Sequence, residues 1–327
     1  MPERLIAPKL KNGDMIRVIA PSFSASIFKP NLLHSAEDTL KRMGLFTSYG
    51  AHVQEIDQFR SSSVASRVAD IHAAFEDPDV HGVISVIGGW SSNQLLQSLD
   101  YALIRANPKV LCGFSDLDAL VAAVQAQTGL VTYSGPHHIF FGQKQAFDYT
   151  RDHFEKATMS NDPFALEPSS HWSDDDWVTN QDQRNLIENP GLKIIQDGTA
   201  TGKVVGCNLN TLTLLQGTPY MPDLDEVILF IEEAKFSNPF QFDRDLQSLL
   251  QQKGLKAKGL VIGRFQPGAM TDEQLLGILQ SKQELKNIPI ITGADFGHTD
   301  PKGTIPIGGI AKISATQTDV VIEFIEH

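Results

Sequence analysis

Cysteine is scarce in this chain. Cys112 and Cys207 stand far apart, each in an apolar stretch, which excludes a CxxC redox pair or zinc knuckle and leaves two buried free thiols as the expectation. Long apolar runs are also missing: nothing approaches the ~18 residues of a membrane span, and the opening "MPERLIAPKLKNGDMIRVIAPS" has no continuous apolar core of a signal peptide. A cytoplasmic location without membrane attachment is expected. Positive charge is outnumbered, with 27 Lys and Arg against 39 Asp and Glu and a net charge of -12, so neither a nucleic acid nor an anionic membrane is expected as the main partner.

Familiar cofactor signatures fail too. "GTATGK" at 198–203 has one residue too few between its glycines for a phosphate loop, and Val204 stands where Ser or Thr would hold magnesium. Gly88 and Gly89 follow an apolar run without extending to GxGxxG. His137 and His138 are adjacent and cannot share a helical face, and no HExxH occurs. No metal and no organic cofactor is expected.

What is present is ordinary globular material: 327 residues, 41% hydrophobic and 20% charged, more than one core of typical size comfortably fills. In the first half short apolar runs alternate with amphipathic segments, the pattern of βα units around a parallel sheet. Strands are expected at 15–20, 52–56, 82–87, 110–114 and 130–134, and helices at about 31–43, 64–76, 91–99 and 116–127. Residues 158–200 turn rich in Asp, Asn, Ser and Pro and read as a linker or long functional loop. A second set of strands and helices follows. The expected division is an N-terminal α/β domain over 1–165, a linker or active-site loop over 166–199, and a C-terminal domain over 200–327.

Three residues could act together as nucleophile, base and orienting acid. Ser115, in "VLCGFSDLDAL", follows an apolar run and opens a helical pattern, so a turn there would present its hydroxyl at the carboxyl end of a sheet. GFSDL is only half of a GxSxG elbow, and Ser115 with Asp118 three residues on is itself a helix-capping box, the reading that the local sequence favours. Glu232 ends the buried run Val227–Ile231, with Glu233 as its competitor and pairing to Lys235 as the plainer alternative. His298 sits in the glycine- and proline-rich "ADFGHTDPKGTIPIGG", the kind of loop a rigid scaffold uses for catalytic groups.

Taken together, "GDMIRVIAPS", "RVADIHAAFEDPDVHGVISVIGG", "VLCGFSDLDAL", "GKVVGCNLNTLTLLQGTPYMP", "ILFIEE" and "ADFGHTDPKGTIPIGG" resemble the LD-carboxypeptidases, serine peptidases that include muramoyl-tetrapeptide carboxypeptidases and microcin C immunity hydrolases. The resemblance implies a flavodoxin-like, doubly wound α/β domain followed by a largely β domain, with Ser115 as nucleophile, Glu232 as acid and His298 as base. It also implies backbone N–H groups of Asp116 and Gly89 as oxyanion donors, and a homodimer. The family reaction releases D-alanine from a murein tetrapeptide, whereas the immunity branch cuts peptidyl or aminoacyl nucleotides. "IGGWSSNQLL", with Ile87 where the peptidoglycan branch usually has arginine, is similar to the immunity branch, as is the insertion with Trp172 and Trp177, which could enclose a nucleotide base. A small peptide or peptidyl-nucleotide substrate is therefore expected. A catalytically idle peptide- or nucleotide-binding module is the alternative from another class.

Overall fold

The computed structural model describes residues 2–235, 238–316 and 319–327. The first part builds β1 (Met15–Ile19), α1 (Pro30–Arg42), β2 (Phe46–Tyr49), α2 (Val64–Glu76), β3 (Val80–Ser85), α3 (Tyr101–Ala106), β4 (Val110–Cys112), α4 (Leu117–Thr128), β5 (Thr132–Ser134) and α5 (Asp148–Met159). Strands β2, β1, β3, β4 and β5 pair in that order, all parallel. Helices on both faces of such a sheet keep its strands dry, which is why Val110, Leu111 and Cys112 form an unbroken apolar run.

The later part adds β6 (Phe164–Ala165), β7 (His171–Trp172), β8 (Ile187–Glu188), β9 (Lys193–Gln196), β10 (Gly198–Asn208), α6 (Leu209–Thr213), β11 (Val227–Glu232), α7 (Pro239–Leu250), β12 (Ala257–Gly263), α8 (Asp272–Ser281), β13 (Ile290–Ala294), β14 (Ile305–Ile307), β15 (Ile310–Thr316) and β16 (Asp319–Glu326). Eight of these strands form a second sheet in the order β6-β16-β15-β10-β11-β12-β13-β9. The C-terminal domain is thus largely β, and its centre, β10 to β13, is itself parallel. "GTATGK" opens β10 and is no loop. The acidic, polar stretch expected to be a linker or loop contains the small β7–β8 ribbon and β9, which pairs antiparallel with β13.

Two features fix the sheets against each other. Strand β14 leaves the second sheet and pairs antiparallel with β5 at the edge of the first. Helix α4 packs against β5 on one side and against β10 and α6 on another, so nearly its whole circumference is buried, Asp118 included. The core continues through both halves.

The strand expected at 52–56 is absent. The chain turns at Gly50, whose N–H donates to the Val18 carbonyl at 2.9 Å, and the buried Asp70 carboxylate then takes the His52 N–H at 3.0 Å and its ring Nδ1 at 2.7 Å. That side chain ends the extended run early. Helix α5 was also missing from the expected elements, and a one-turn-at-a-time 3₁₀ segment, Ser92–Ser98, replaces the helix expected at 91–99.

Phe230 tests the second core: it is fully buried between Phe296 and Phe324, with ring centroids 5.9 and 5.4 Å away. Phe230→Ala is expected to cost about 3–5 kcal/mol, read as a lowered midpoint in chemical denaturation.

Candidate active site

Strand β4 ends at Cys112, and the chain passes Gly113 and Phe114 to reach Ser115 in a left-handed conformation, φ +63°. A non-glycine residue there marks a backbone held against its preference. The consequence is directional. Ser115 does not cap α4, whose N-cap residue is Asp116 without a side-chain cap bond; its hydroxyl instead lies 2.9 Å from Nε2 of His298.

The other ring nitrogen, Nδ1 of His298, is 2.7 Å from Oε2 of Glu232, at the carboxyl end of β11. Glu232 is 0% exposed. A buried carboxylate accepts, so Nδ1 carries the proton and Nε2 is left to accept the Ser115 O–H. Burial disfavours the imidazolium, but the charge and hydrogen bond of Glu232 outweigh it, and the His298 pKa lies above the usual imidazole value. His137, buried nearby with Nδ1 on the Ser85 hydroxyl, is driven well below that value by burial. Glu233, the competitor of Glu232, is buried in the cavity wall.

Glu232 depends on its own supports. Its second oxygen, Oε1, accepts from Nδ2 of Asn208 at 2.8 Å, while Oδ1 of Asn208 accepts the Thr211 N–H and so caps α6. The Asn208 N–H donates to Asp118 in α4 at 2.9 Å; burial pushes the Asp118 carboxyl up to about 7 despite this bond and one from Ser134. Gly297, at φ +95°, lies so close that an added Cβ would stand 2.4 Å from Glu232 Oε2. Only glycine lets the His298 loop approach this carboxylate.

The side chain of Asp116 organises the two backbone N–H groups expected to hold an oxyanion. Its Oδ2 accepts from the Ser22 hydroxyl at 2.6 Å and from the N–H groups of Ser91 and Ser92, both at 2.9 Å. Ser22 Oγ in turn accepts the Trp90 N–H at 3.0 Å. Gly89 therefore sits in a loop tied directly to the residue after Ser115, and an added Cβ there would lie 2.3 Å from Ser22 Oγ.

A cavity of about 940 Å³ opens over Ser115 and His298. Trp177 lines it, nearly buried against Phe140 at 5.3 Å between ring centroids. Trp172 does not line it: its ring faces the Arg264 guanidinium, 5.1 Å away, which is held by Asp295 at 3.0 Å. The two indoles thus do not form the two walls of one slot. Lys302 lines the cavity, its ammonium bonded to Thr299 O at 2.9 Å and Asp300 at 2.6 Å and 4.5 Å from the Phe140 ring centroid. Among the described residues no group of three or more His, Cys, Asp and Glu could hold a metal.

Asn208, Lys302, Trp90 and the Asp116 carboxylate escaped the sequence reading. All four lie inside the segments that carry the resemblance, but a positioning side chain has no spacing signature of its own.

A hydroxyl within hydrogen-bond reach of an imidazole, itself held by a buried carboxylate, defines a serine-type hydrolase. The chain belongs to the LD-carboxypeptidase family: the LD-carboxypeptidase N-terminal domain matches residues 16–135 and the LD-carboxypeptidase C-terminal domain residues 201–313. It is 45% identical to the putative carboxypeptidase YocD of Bacillus subtilis, over 95% of this chain and 96% of that one. It is 32% identical to the microcin C7 self-immunity protein MccF of Escherichia coli, over 93% and 91%. The crystal structure of an MccF-like protein from Bacillus anthracis superposes with a TM-score of 0.97 at 47% identity, covering 99% of this chain and 100% of that one. MccF in complex with aspartyl sulfamoyl adenosine superposes at 0.87 and 30% identity, with 99% of each chain covered.

Two outcomes follow from the geometry. With His298 acting as a base, which must be neutral to accept a proton, its raised pKa should place the acid limb of kcat/KM above pH 6.5, and Glu232→Gln should move that limb to lower pH and cut kcat by roughly 10⁴-fold. With the Asp116 and Gly89 N–H groups acting as oxyanion donors, Asp116→Ala should misalign them and lower kcat by roughly 10²-fold with KM changed far less, read by steady-state kinetics.

Proposed function

We propose that the protein hydrolyses an amide bond through Ser115, His298 and Glu232, and that its substrate is a peptidyl or aminoacyl nucleotide. The observation that carries the chemistry is the hydrogen-bonded chain from Ser115 Oγ through both ring nitrogens to Glu232. His298 Nε2 takes the Ser115 proton as Oγ attacks the carbonyl carbon, and Glu232 stabilises the imidazolium that forms. The backbone N–H groups of Asp116 and Gly89 hold the oxyanion. The imidazolium then returns its proton to the leaving nitrogen, and water, deprotonated by the same imidazole, releases the acyl group from Ser115.

The nucleotide reading is supported by Ile87 and by the aromatic wall of Phe140 and Trp177, on which a base could stack. It is also supported by likeness to MccF, whose complexes hold aminoacyl sulfamoyl nucleosides. A second reading, release of D-alanine from a murein tetrapeptide, is favoured by a 28% identical probable murein peptide carboxypeptidase of Bacillus subtilis, matched over 96% of this chain and 93% of that one. In that reading Lys302 is the cation for the terminal carboxylate. A domain division at about residues 165 and 200, a cytoplasmic location and a homodimer complete the proposal; no helix among the described residues is long and apolar enough to cross a membrane.

Wild type and Ser115→Ala, incubated separately with aspartyl sulfamoyl adenosine and with murein tetrapeptide and followed by mass spectrometry, test both readings. Wild type should release the sulfamoyl nucleoside, and Ser115→Ala should lose at least about 10⁴-fold in rate. Loss of D-alanine alone transfers the protein to the second reading, and full activity in Ser115→Ala removes the nucleophile.

A further inference from the structure

Beside the site cavity lies a second cleft of about 740 Å³, and Phe23 and Trp90 line both. Its other prominent wall is Phe59. Phe59 is 71% exposed and Trp90 67%, two large aromatic side chains offered to solvent in one depression. Single exposed apolar residues need no explanation, but aromatic groups gathered beside a reactive centre do.

Both are mounted on a stiff frame. The Asp57 carboxylate accepts the N–H groups of Phe59 at 2.8 Å and Ser61 at 3.0 Å, and the Asp57 N–H donates to Ser61 O at 2.7 Å. Arg60 takes a left-handed conformation, φ +61°, and its carbonyl accepts the Ser24 N–H at 2.8 Å. The Ser61 hydroxyl donates to Ser22 O at 2.6 Å, which fastens the turn to the segment whose Ser22 hydroxyl holds Trp90 and Asp116. Below, the Arg67 guanidinium donates to Pro21 O at 3.0 Å, Ser91 O at 3.1 Å and Gln94 Oε1 at 2.8 Å. Rigid aromatic anchors give contact area at little ordering cost, which is what a binding surface requires.

The chemistry assigns the occupant. The leaving nitrogen receives its proton from His298 Nε2, so the leaving group lies on the imidazole side, with Phe114, Lys302, Phe140 and Trp177. The acyl portion would then extend the other way from the carbonyl carbon, towards the Gly88–Ser92 loop, where Gly88, Gly89 and Trp90 line the site cavity and Trp90 and Ser91 line the cleft. We propose that the Phe23–Phe59–Trp90 cleft is a subsite for the acyl side of the substrate, taking peptide residues that precede the scissile bond, and that the enzyme selects peptidyl over single aminoacyl groups. This rests on Ser115 and His298 acting as nucleophile and base.

The test compares glutamyl sulfamoyl adenosine with the same compound extended by two residues at its amino end. Wild type should favour the longer acyl group in kcat/KM, and Phe59→Ala should collapse that preference by roughly tenfold, as loss of an aromatic contact does. Val64→Trp, which fills the cleft from its rim, should collapse it likewise. The same pair is measured for binding by calorimetry in a Ser115→Ala background, where the length preference and its loss should reappear in Kd. A preference unchanged by both substitutions overturns the subsite, as does a Phe59→Ala loss that instead follows leaving-group size when D-alanine replaces the nucleoside. Retained turnover in Ser115→Ala, or no turnover in wild type, defeats the catalytic reading separately, because the calorimetric comparison still decides the cleft.

Discussion

Everything at this site depends on one imidazole being held from both sides by different sheets. His298 reaches Ser115 at 2.9 Å and Glu232 at 2.7 Å; the first belongs to the turn after β4, the second to the end of β11. A shift of about 1 Å between the sheets would carry one bond or the other beyond hydrogen-bond range. The fold meets that demand with covalent continuity: the chain leaves β13, forms the His298 loop, crosses to pair β14 with β5, and returns as β15. His298 is thus strung between two fixed edges.

Behind the three side chains runs a chain of supports that is more buried than the site it serves. Asp118 in α4 holds the Asn208 backbone, Asn208 holds the far oxygen of Glu232, and Glu232 holds the ring. On the other flank the Asp116 carboxylate gathers Ser22, Ser91 and Ser92. Buried polar groups are costly unless satisfied, so each of these bonds stabilises the fold and aims a reacting group at once. Rigidity here is a by-product of keeping polar atoms paired away from water.

How far the sequence reached follows from what each residue does. Recurring motifs brought Ser115, Glu232 and His298 to notice, and the structure sets them within hydrogen-bond reach of one another; the parallel strands could be found because they are continuous apolar runs. The local view of Ser115 as a cap failed to foresee φ +63°, which the surrounding turn imposes. Strand 52–56 was misplaced because its end is set by Asp70, eighteen residues on in the neighbouring helix. Trp172 and Trp177 looked equivalent in the sequence, yet one packs on Arg264 and the other faces the cavity. Only the path of residues 166–199, tied to residues 142–145 on one side and to β13 on the other, separates them, and no local pattern encodes that path.

The crossing of β14 has a consequence for biosynthesis. When a ribosome has released residues up to about 160, the first sheet has every strand but its last, and the edge of β5 exposes unpaired backbone groups of a kind that recruits stray strands. Its partner, Ile305–Ile307, emerges only after the whole of β6 to β13. The nascent half must therefore stay open along that edge until β13 has been made, and delivery of His298 to Ser115 and closure of the first sheet follow one after the other in the same stretch of chain. A product truncated before the His298 loop would lack both at once.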